Sequence, residues 1–326
     1  MRKMCCNMPT STPSAGRKRC LLTNGATFTR HGGCAILNPM LTLKAYAKIN
    51  LTLEALGRRE DGYHEVATIM QTVDLHDTVR LAPADDLTLT CDDPALESSD
   101  NLAYKAAALL RKESGYEGGA TIGIEKAIPV SAGLGGGSSD AAATLRGLND
   151  LWQLGMGMAR LEALAAQLGS DVPFLLQGGT AIGLGRGERI RRIPPPEVQW
   201  LVVVTPDVRH TGGASSKTAA LYGMLTPANY TRGYLTRKLE ARIRVGKDMP
   251  AQFLFNVFDD VAFDAYPGLE QCWNTFAELG AREIHISGSG PSIYALMPRR
   301  EVGTAIQLLL RHKHGLNAHL VSAVWP

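Results

Sequence analysis

The stretch PVSAGLGGGSSDAAATLRGLN, Pro129 to Asn149, places four glycines between Gly133 and Gly137, directly ahead of a run with helical periodicity. Ala141, Leu145, Leu148 and Trp152 recur at i, i+4, i+7 and i+11, one apolar stripe of a helix expected to begin near Ser139. Glycine admits positive φ and lets backbone N–H groups approach an anion with no Cβ in the way. A helix start adds unpaired N–H groups and about half a positive charge. Ser138 and Ser139 supply hydroxyls that cap the helix or reach phosphate oxygens. The expectation is a phosphate cradle formed by Pro129, Val130, Ser131, Ala132, Gly133, Leu134, Gly135, Gly136, Gly137, Ser138 and Ser139. The alternative, a flexible linker, sits poorly with an amphipathic helix immediately downstream. Two familiar cradles are excluded. The P-loop needs a lysine after its last glycine, and none follows here. The dinucleotide fingerprint fits at Gly133 and Gly135 but fails at Ser138.

Upstream, Leu43 to Ala55 alternates. Ala45, Ala47, Ile49, Leu51, Leu53 and Ala55 form one face, and Lys44, Tyr46, Lys48, Asn50, Thr52 and Glu54 the other. This period of two predicts a half-buried strand with Lys48 and Asn50 side by side, about 7 Å apart. The turn signals of GRREDGYH follow, then a β-rich run from His64 to Val73, so the segment reads as a hairpin with a polar tip. Short strands are expected over 77–91 and 121–125, and helices over 101–112 and 158–168. The run Pro194-Pro195-Pro196 is the candidate domain boundary, before a buried strand at 200–205. Beyond it helices are expected near 267–279 and 302–310, and strands near 283–287, 292–297 and 319–324. That order suggests a second α+β domain. The turn SGSGPS, Ser287–Ser292, reads as an anion nest or as a Gly-rich turn closing the site beside the glycine loop.

Charge needs to be read in two parts. The chain of 326 residues has a formal charge of +3, yet Arg2, Lys3, Arg17, Lys18, Arg19 and Arg30 all fall within residues 1–40, which hold no acid. Without those six, 28 basic residues face 31 acidic ones. The body therefore gives no basic surface for nucleic acid. No apolar run approaches the roughly 20 residues that span a bilayer, so no membrane partner is expected. Cys5, Cys6, Cys20 and Cys34 lie in the same opening segment, with only Cys91 and Cys272 beyond it. No zinc-like spacing occurs, and the pattern suits a reducing compartment without structural disulfides. Residues 1–40 read as a disordered extension. Two origins remain open for it, an organellar targeting segment or an upstream start codon with Met40 as the true one.

The stretch PVSAGLGGGSSDAA resembles the ATP-binding motif of the GHMP kinases. Three further stretches resemble the same family in the same order: AKINLTLEALGRREDGYHEV (Ala47–Val66), GSDVPFLLQGGTA (Gly169–Ala181) and ISGSGPSIYAL (Ile286–Leu296). The resemblance spans about residues 41–326. It implies an α+β protein of two domains, a ribosomal protein S5 domain 2-like N-terminal domain over 41–196 and a ferredoxin-like C-terminal domain over 197–326. It also implies an ATP-dependent small-molecule kinase with Mg2+, metal ligands unassigned. The triple glycine with paired serines is similar to the branch acting on a cytidine diphosphate-linked methylerythritol, phosphorylated at its 2-hydroxyl on the non-mevalonate route to isoprenoid precursors. A homoserine- or mevalonate-type kinase and a non-catalytic sensor of the same fold are the alternatives.

The resemblance assigns residues as well. Asp171 matches the proton acceptor, although Asp171-Val172-Pro173 also reads as a helix cap followed by a first-turn proline. Lys48 matches the lysine beside that base, where it polarises the substrate hydroxyl; on pattern alone it is a solvated strand lysine. Asn50, Tyr63 and His64 match residues that hold the cytidine diphosphate substrate, with turn decoration the local alternative for the last two. Tyr222, in KTAALY, aligns loosely with a second stacking ring. A bacterial cytoplasmic monomer or weak homodimer is expected, with a plastid the alternative through the opening segment.

Overall fold

The alternating run becomes β1, Leu41–Arg58, in a computed structural model that describes residues 40–197, 200–212, 217–246 and 248–325. The expected extension, apart from Met40, lies outside the described residues, as do its four cysteines. β1 pairs antiparallel with β2, His64–Ala84, in a register that sets Arg58 opposite His64 at the tip. The short strand expected from residue 77 is instead the end of β2. That strand runs on because Thr78–Ala84 pairs with β4, Gly119–Glu125, while Val66–Gln71 pairs with β5, Thr180–Gly185. β3, Leu87–Cys91, lies parallel to β4, and β6, Arg189–Arg192, pairs with β5.

Four helices cover one face of this sheet: α1, Leu102–Ser114; α2, Gly136–Leu151; α3, Met158–Leu168; and α4, Val172–Gln177. Asn101 caps α1, its side chain accepting from the Ala103 N–H at 2.9 Å. The stripe Ala141, Leu145, Leu148 and Trp152 is buried against Val79, Leu81 and Ile122 of the sheet. α2 begins at Gly136, three residues before the expected start, because the left-handed Gly135 ends the loop and the next glycines already form the first turn.

After the proline run the order is β7, Trp200–Thr205; α5, Lys217–Met224; α6, Tyr234–Gly246; β8, Phe255–Asn256; α7, Ala262–Ala265; α8, Leu269–Glu278; β9, His285–Ile286; β10, Ile293–Met297; α9, Arg300–His312; and β11, Asn317–Ser322. β8 crosses back to pair parallel with β1. The other four strands form an antiparallel sheet in the order β11-β7-β10-β9. With its two helical crossovers this is the ferredoxin-like arrangement.

The expectation that β1 is half-buried is corrected. Its apolar residues Ala47, Ile49 and Leu51 pack with Leu201, Val203, Tyr294 and Val321 of the second sheet. From Lys48 onward its polar row is buried as well, with Lys48 4% exposed, Asn50 3%, Thr52 0% and Glu54 0%, whereas Lys44 stays exposed. Burial of that row is tolerable because each group is bonded. Thr52 bonds Thr236 through their hydroxyls, and the Glu54 carboxylate accepts the Leu235 and Thr236 N–H groups at 3.3 and 2.7 Å. Glu54 thereby supplies the α6 N-terminus with the negative charge and acceptors it lacks. The row's other end, Lys48 and Asn50, faces the glycine loop.

Candidate active site

Within the loop, left-handed backbone recurs at alternate positions: Ser131 (φ 55°), Gly133 (82°) and Gly135 (75°). Such alternation turns successive N–H groups toward one concavity. The N–H groups of Gly136, Gly137 and Ser138 open α2 and have no helical carbonyl to bind. Backbone bonds hold the loop in place. Lys48 N–H donates to Leu134 O at 2.9 Å and Ser292 N–H to Ala132 O at 3.1 Å. Ala132 and Leu134 are buried, whereas Val130, Ser131 and Gly137 are exposed and Pro129 is half-buried. Ser139 donates its hydroxyl to Tyr46 O at 2.7 Å and so faces the sheet, whereas Ser131 is exposed and Ser138 half-buried.

The turn Ser287–Ser292 packs directly on this loop. A Cβ at Gly133 would stand 2.1 Å from Ser287 O and 2.8 Å from Gly290 N, both backbone atoms that cannot yield. Gly133→Ala therefore drives the two loops apart and adds a left-handed strain of about 1–3 kcal/mol. The expected result is a folded protein whose dissociation constant for ATP rises about tenfold or more, measured by calorimetric titration.

Beneath the loop, Lys126 joins its root to both flanking elements. Its ammonium contacts Asp77 of β2 at 2.5 Å and Asp140 of α2 at 2.7 Å. Asp77 also accepts the Ala127 and Ile128 N–H groups at 2.6 and 2.8 Å. Burial raises the Asp140 pKa to about 7, against the pull of Lys126.

At the mouth, Lys48 Nζ lies 3.2 Å from Asp171 Oδ2 and donates to Asn50 Oδ1 at 2.7 Å. Asp171 does occupy the N-cap position of α4, with Pro173 in the first turn, but its side chain makes no capping bond. It turns instead to Lys48, leaving the carboxylate one-third exposed. The Asn50 amide is pinned at its other end, since Nδ2 donates to Thr68 Oγ1 at 2.8 Å and Thr68 donates to Thr52 O at 2.6 Å. That chain fixes which way the amide faces and so fixes the lysine.

His64 and Tyr222 meet although 158 positions separate them by number. Their rings stack with centroids 4.9 Å apart at 18°. Tyr230, which local pattern does not single out, stands edge-on to His64 with its hydroxyl 3.1 Å from Nε2. Burial holds the His64 imidazole below its usual range, and the Arg58 charge adds to this. Burial pushes the Tyr222 phenol up, with the Asp171 charge adding. Both rings are therefore neutral near pH 7. Tyr63 is apart from them: it is 55% exposed, with Arg186 over its ring at 4.7 Å.

Known proteins share this chain's sequence and fold over most of its length. The GHMP kinases N terminal domain matches residues 101–179 and the GHMP kinases C terminal domain residues 239–313. The 4-diphosphocytidyl-2-C-methyl-D-erythritol kinase of Dehalococcoides mccartyi is 40% identical over 287 residues, covering 88% of this chain and 99% of the relative. The chain belongs to this kinase family. A second member, from Bacillus cytotoxicus, is 42% identical over 260 residues, covering 79% of this chain and 88% of the relative. A crystal structure of 4-(cytidine 5'-diphospho)-2C-methyl-D-erythritol kinase superposes with a TM-score of 0.73 at 32% identity, over 88% of this chain and all of that one. Homoserine kinase from Cytophaga hutchinsonii shares the fold, with a TM-score of 0.65 at 17% identity, over 91% of this chain and 98% of that one. The chain is thus an ATP-dependent small-molecule kinase of the GHMP fold, α+β throughout.

Sequence reasoning passes over several residues that touch these candidate groups. Tyr230, Thr68 and Arg186 belong to no motif and reach the site only through tertiary pairing. Lys217 had a signal within reach, since it opens the segment KTAALY that carries Tyr222.

Proposed function

We propose that the chain transfers the γ-phosphoryl group of ATP to the 2-hydroxyl of 4-diphosphocytidyl-2-C-methyl-D-erythritol, giving ADP and the 2-phosphate on the non-mevalonate route to isoprenoid precursors. The observation that carries this reading is the Lys48–Asp171 ion pair beside the glycine loop. Asp171 accepts the proton of the 2-hydroxyl as that oxygen attacks the γ-phosphorus. The bond to the bridging oxygen breaks, and its electron pair leaves with ADP. Lys48, held by Asn50, polarises the hydroxyl and steadies the developing charge. The nest and the opening turn of α2 receive the phosphates. Among the described residues no group of three or more His, Cys, Asp or Glu side chains could hold a metal. Mg2+ would come with ATP and neutralise charge on its phosphates, taking few protein ligands, and a loop serine such as Ser138 would be one oxygen able to hold it.

The His64–Tyr222 stack supports a nucleobase as the remote part of the substrate. A flat neutral pair of rings presents a π face to cytosine, and the imidazole offers a hydrogen bond to its edge. Stacking on an aromatic ring is worth about 1–3 kcal/mol per base. Tyr222→Ala accordingly raises KM for the cytidyl substrate about 10- to 100-fold, while KM for ATP stays near wild type. Tyr63 at the hairpin tip closes over the substrate from the solvent side. Its expected setting is the bacterial cytoplasm, as a monomer or weak homodimer. Among the described residues no helix is long and apolar enough to cross a membrane.

The test is turnover with Mg-ATP and a panel of the cytidyl substrate, homoserine and mevalonate. The cytidyl compound is expected to be the substrate. Turnover of mevalonate or homoserine in its place overturns this reading.

A further inference from the structure

The glycine loop lacks the lysine that completes a P-loop, yet a lysine stands at its rim. Lys217 is the first residue of α5, and its ammonium donates to Ser131 O of the loop and, at 2.6 Å, to Gly290 O of the turn that packs on it. Its neighbour Thr218 bonds Ser289 of the same turn, hydroxyl to hydroxyl, at 2.9 Å. α5 is thus moored to both loops at one end and carries Tyr222 near the other.

The surroundings of this ammonium are unusual for a surface lysine. Both of its acceptors are neutral carbonyls, and among the described residues no carboxylate lies within ion-pair distance of it. Burial lowers its pKa to about 8, and the Lys48 charge adds to that. A half-buried cation facing a second cation, with no anion of its own, is costly for the empty protein. The cost is offset when an anion arrives between them. A triphosphate lying in the nest brings that anion to the place where Ser131 and Lys217 meet. A cavity of about 630 Å³ opens there, lined by Ser131, Arg209, His210 and Lys217, with one carboxylate, Asp207, among its other residues.

We propose that Lys217 is a second cation of the catalytic site, which leaves its carbonyl partners to contact a terminal phosphate oxygen of bound ATP. It supplies from α5 the charge that a P-loop supplies from its own lysine. Lys48 and Lys217 then flank the transferred group, one toward the acceptor hydroxyl and one toward the phosphates. This inference rests on the reading of the glycine loop as the ATP site, and is independent of which acceptor the kinase uses.

Lys217→Gln tests it. The amide keeps two N–H donors, on a side chain one bond shorter, and removes the charge. Equilibrium binding of ATP and of AMP, without any acceptor, is the readout. Lys217→Gln is expected to weaken ATP roughly 10- to 100-fold, the worth of a charge-assisted hydrogen bond, and to leave AMP within about twofold. Lys217→Met should give the same ATP loss, and Lys217→Arg should recover most of it. ATP binding that is unchanged in Lys217→Gln overturns the inference. Equal weakening of ATP and AMP also overturns it, because that is the mark of a lysine that merely ties two loops together. A wild-type protein with no preference for ATP over AMP overturns the loop reading itself, and this inference with it.

Discussion

Asp171→Asn lowers kcat by about 10²–10⁴, while the protein still folds and its dissociation constant for ATP stays near the wild-type value. The carboxylate sits at the head of α4 but makes no capping bond there, so the change to an amide removes no hydrogen bond from the helix. An asparagine of equal size keeps a contact with Lys48 and loses the ability to take a proton from the substrate hydroxyl. The effect therefore falls on the chemical step, with kcat and kcat/KM reduced together. Stopped-flow measurement of a single turnover separates this from slow product release. A wild-type kcat in Asp171→Asn removes Asp171 from the role of base.

Lys126→Met is expected to destabilise the protein by about 3–5 kcal/mol, because it removes the shared partner of two carboxylates that have almost no access to water. Asp77 would still accept the Ala127 and Ile128 N–H groups, but Asp140 would keep no counter-charge and already has one oxygen without a partner. Replacing Asp140 by Asn in the same protein should recover part of the loss, since the two changes act on one network. Urea denaturation of the single and double variants gives both numbers. A loss below about 1 kcal/mol in Lys126→Met contradicts the account of how the loop root is held.

The polar row Lys48, Asn50, Thr52 and Glu54 is legible as a row, because alternation reports that a strand has two faces. Alternation does not report what covers them, and here α6 and the glycine loop bury a face that reads as wet. Asp171 shows the same limit. Asp-Val-Pro is a sound local cap signature and the aspartate does sit at the cap position, but its side chain answers to Lys48, 123 positions away. A local reading starts α2 three residues late, because glycine's low helix propensity outweighs the tertiary contacts that fix Gly136 and Gly137. The motifs carrying the fold were fully legible, since loop, hairpin and turn each depend on glycine at set positions. The stack of His64, Tyr222 and Tyr230 was only half legible, because its members come from a strand, a helix and a connecting segment that no spacing relates.

The most direct measurement is phosphorus-31 NMR of a reaction of the purified protein with Mg-ATP and 4-diphosphocytidyl-2-C-methyl-D-erythritol. The account predicts ADP and one new phosphomonoester in equal amounts, the ester at the 2-position and the cytidine diphosphate bridge intact. ADP without a new ester, an ester at another hydroxyl, or no reaction at all would contradict it.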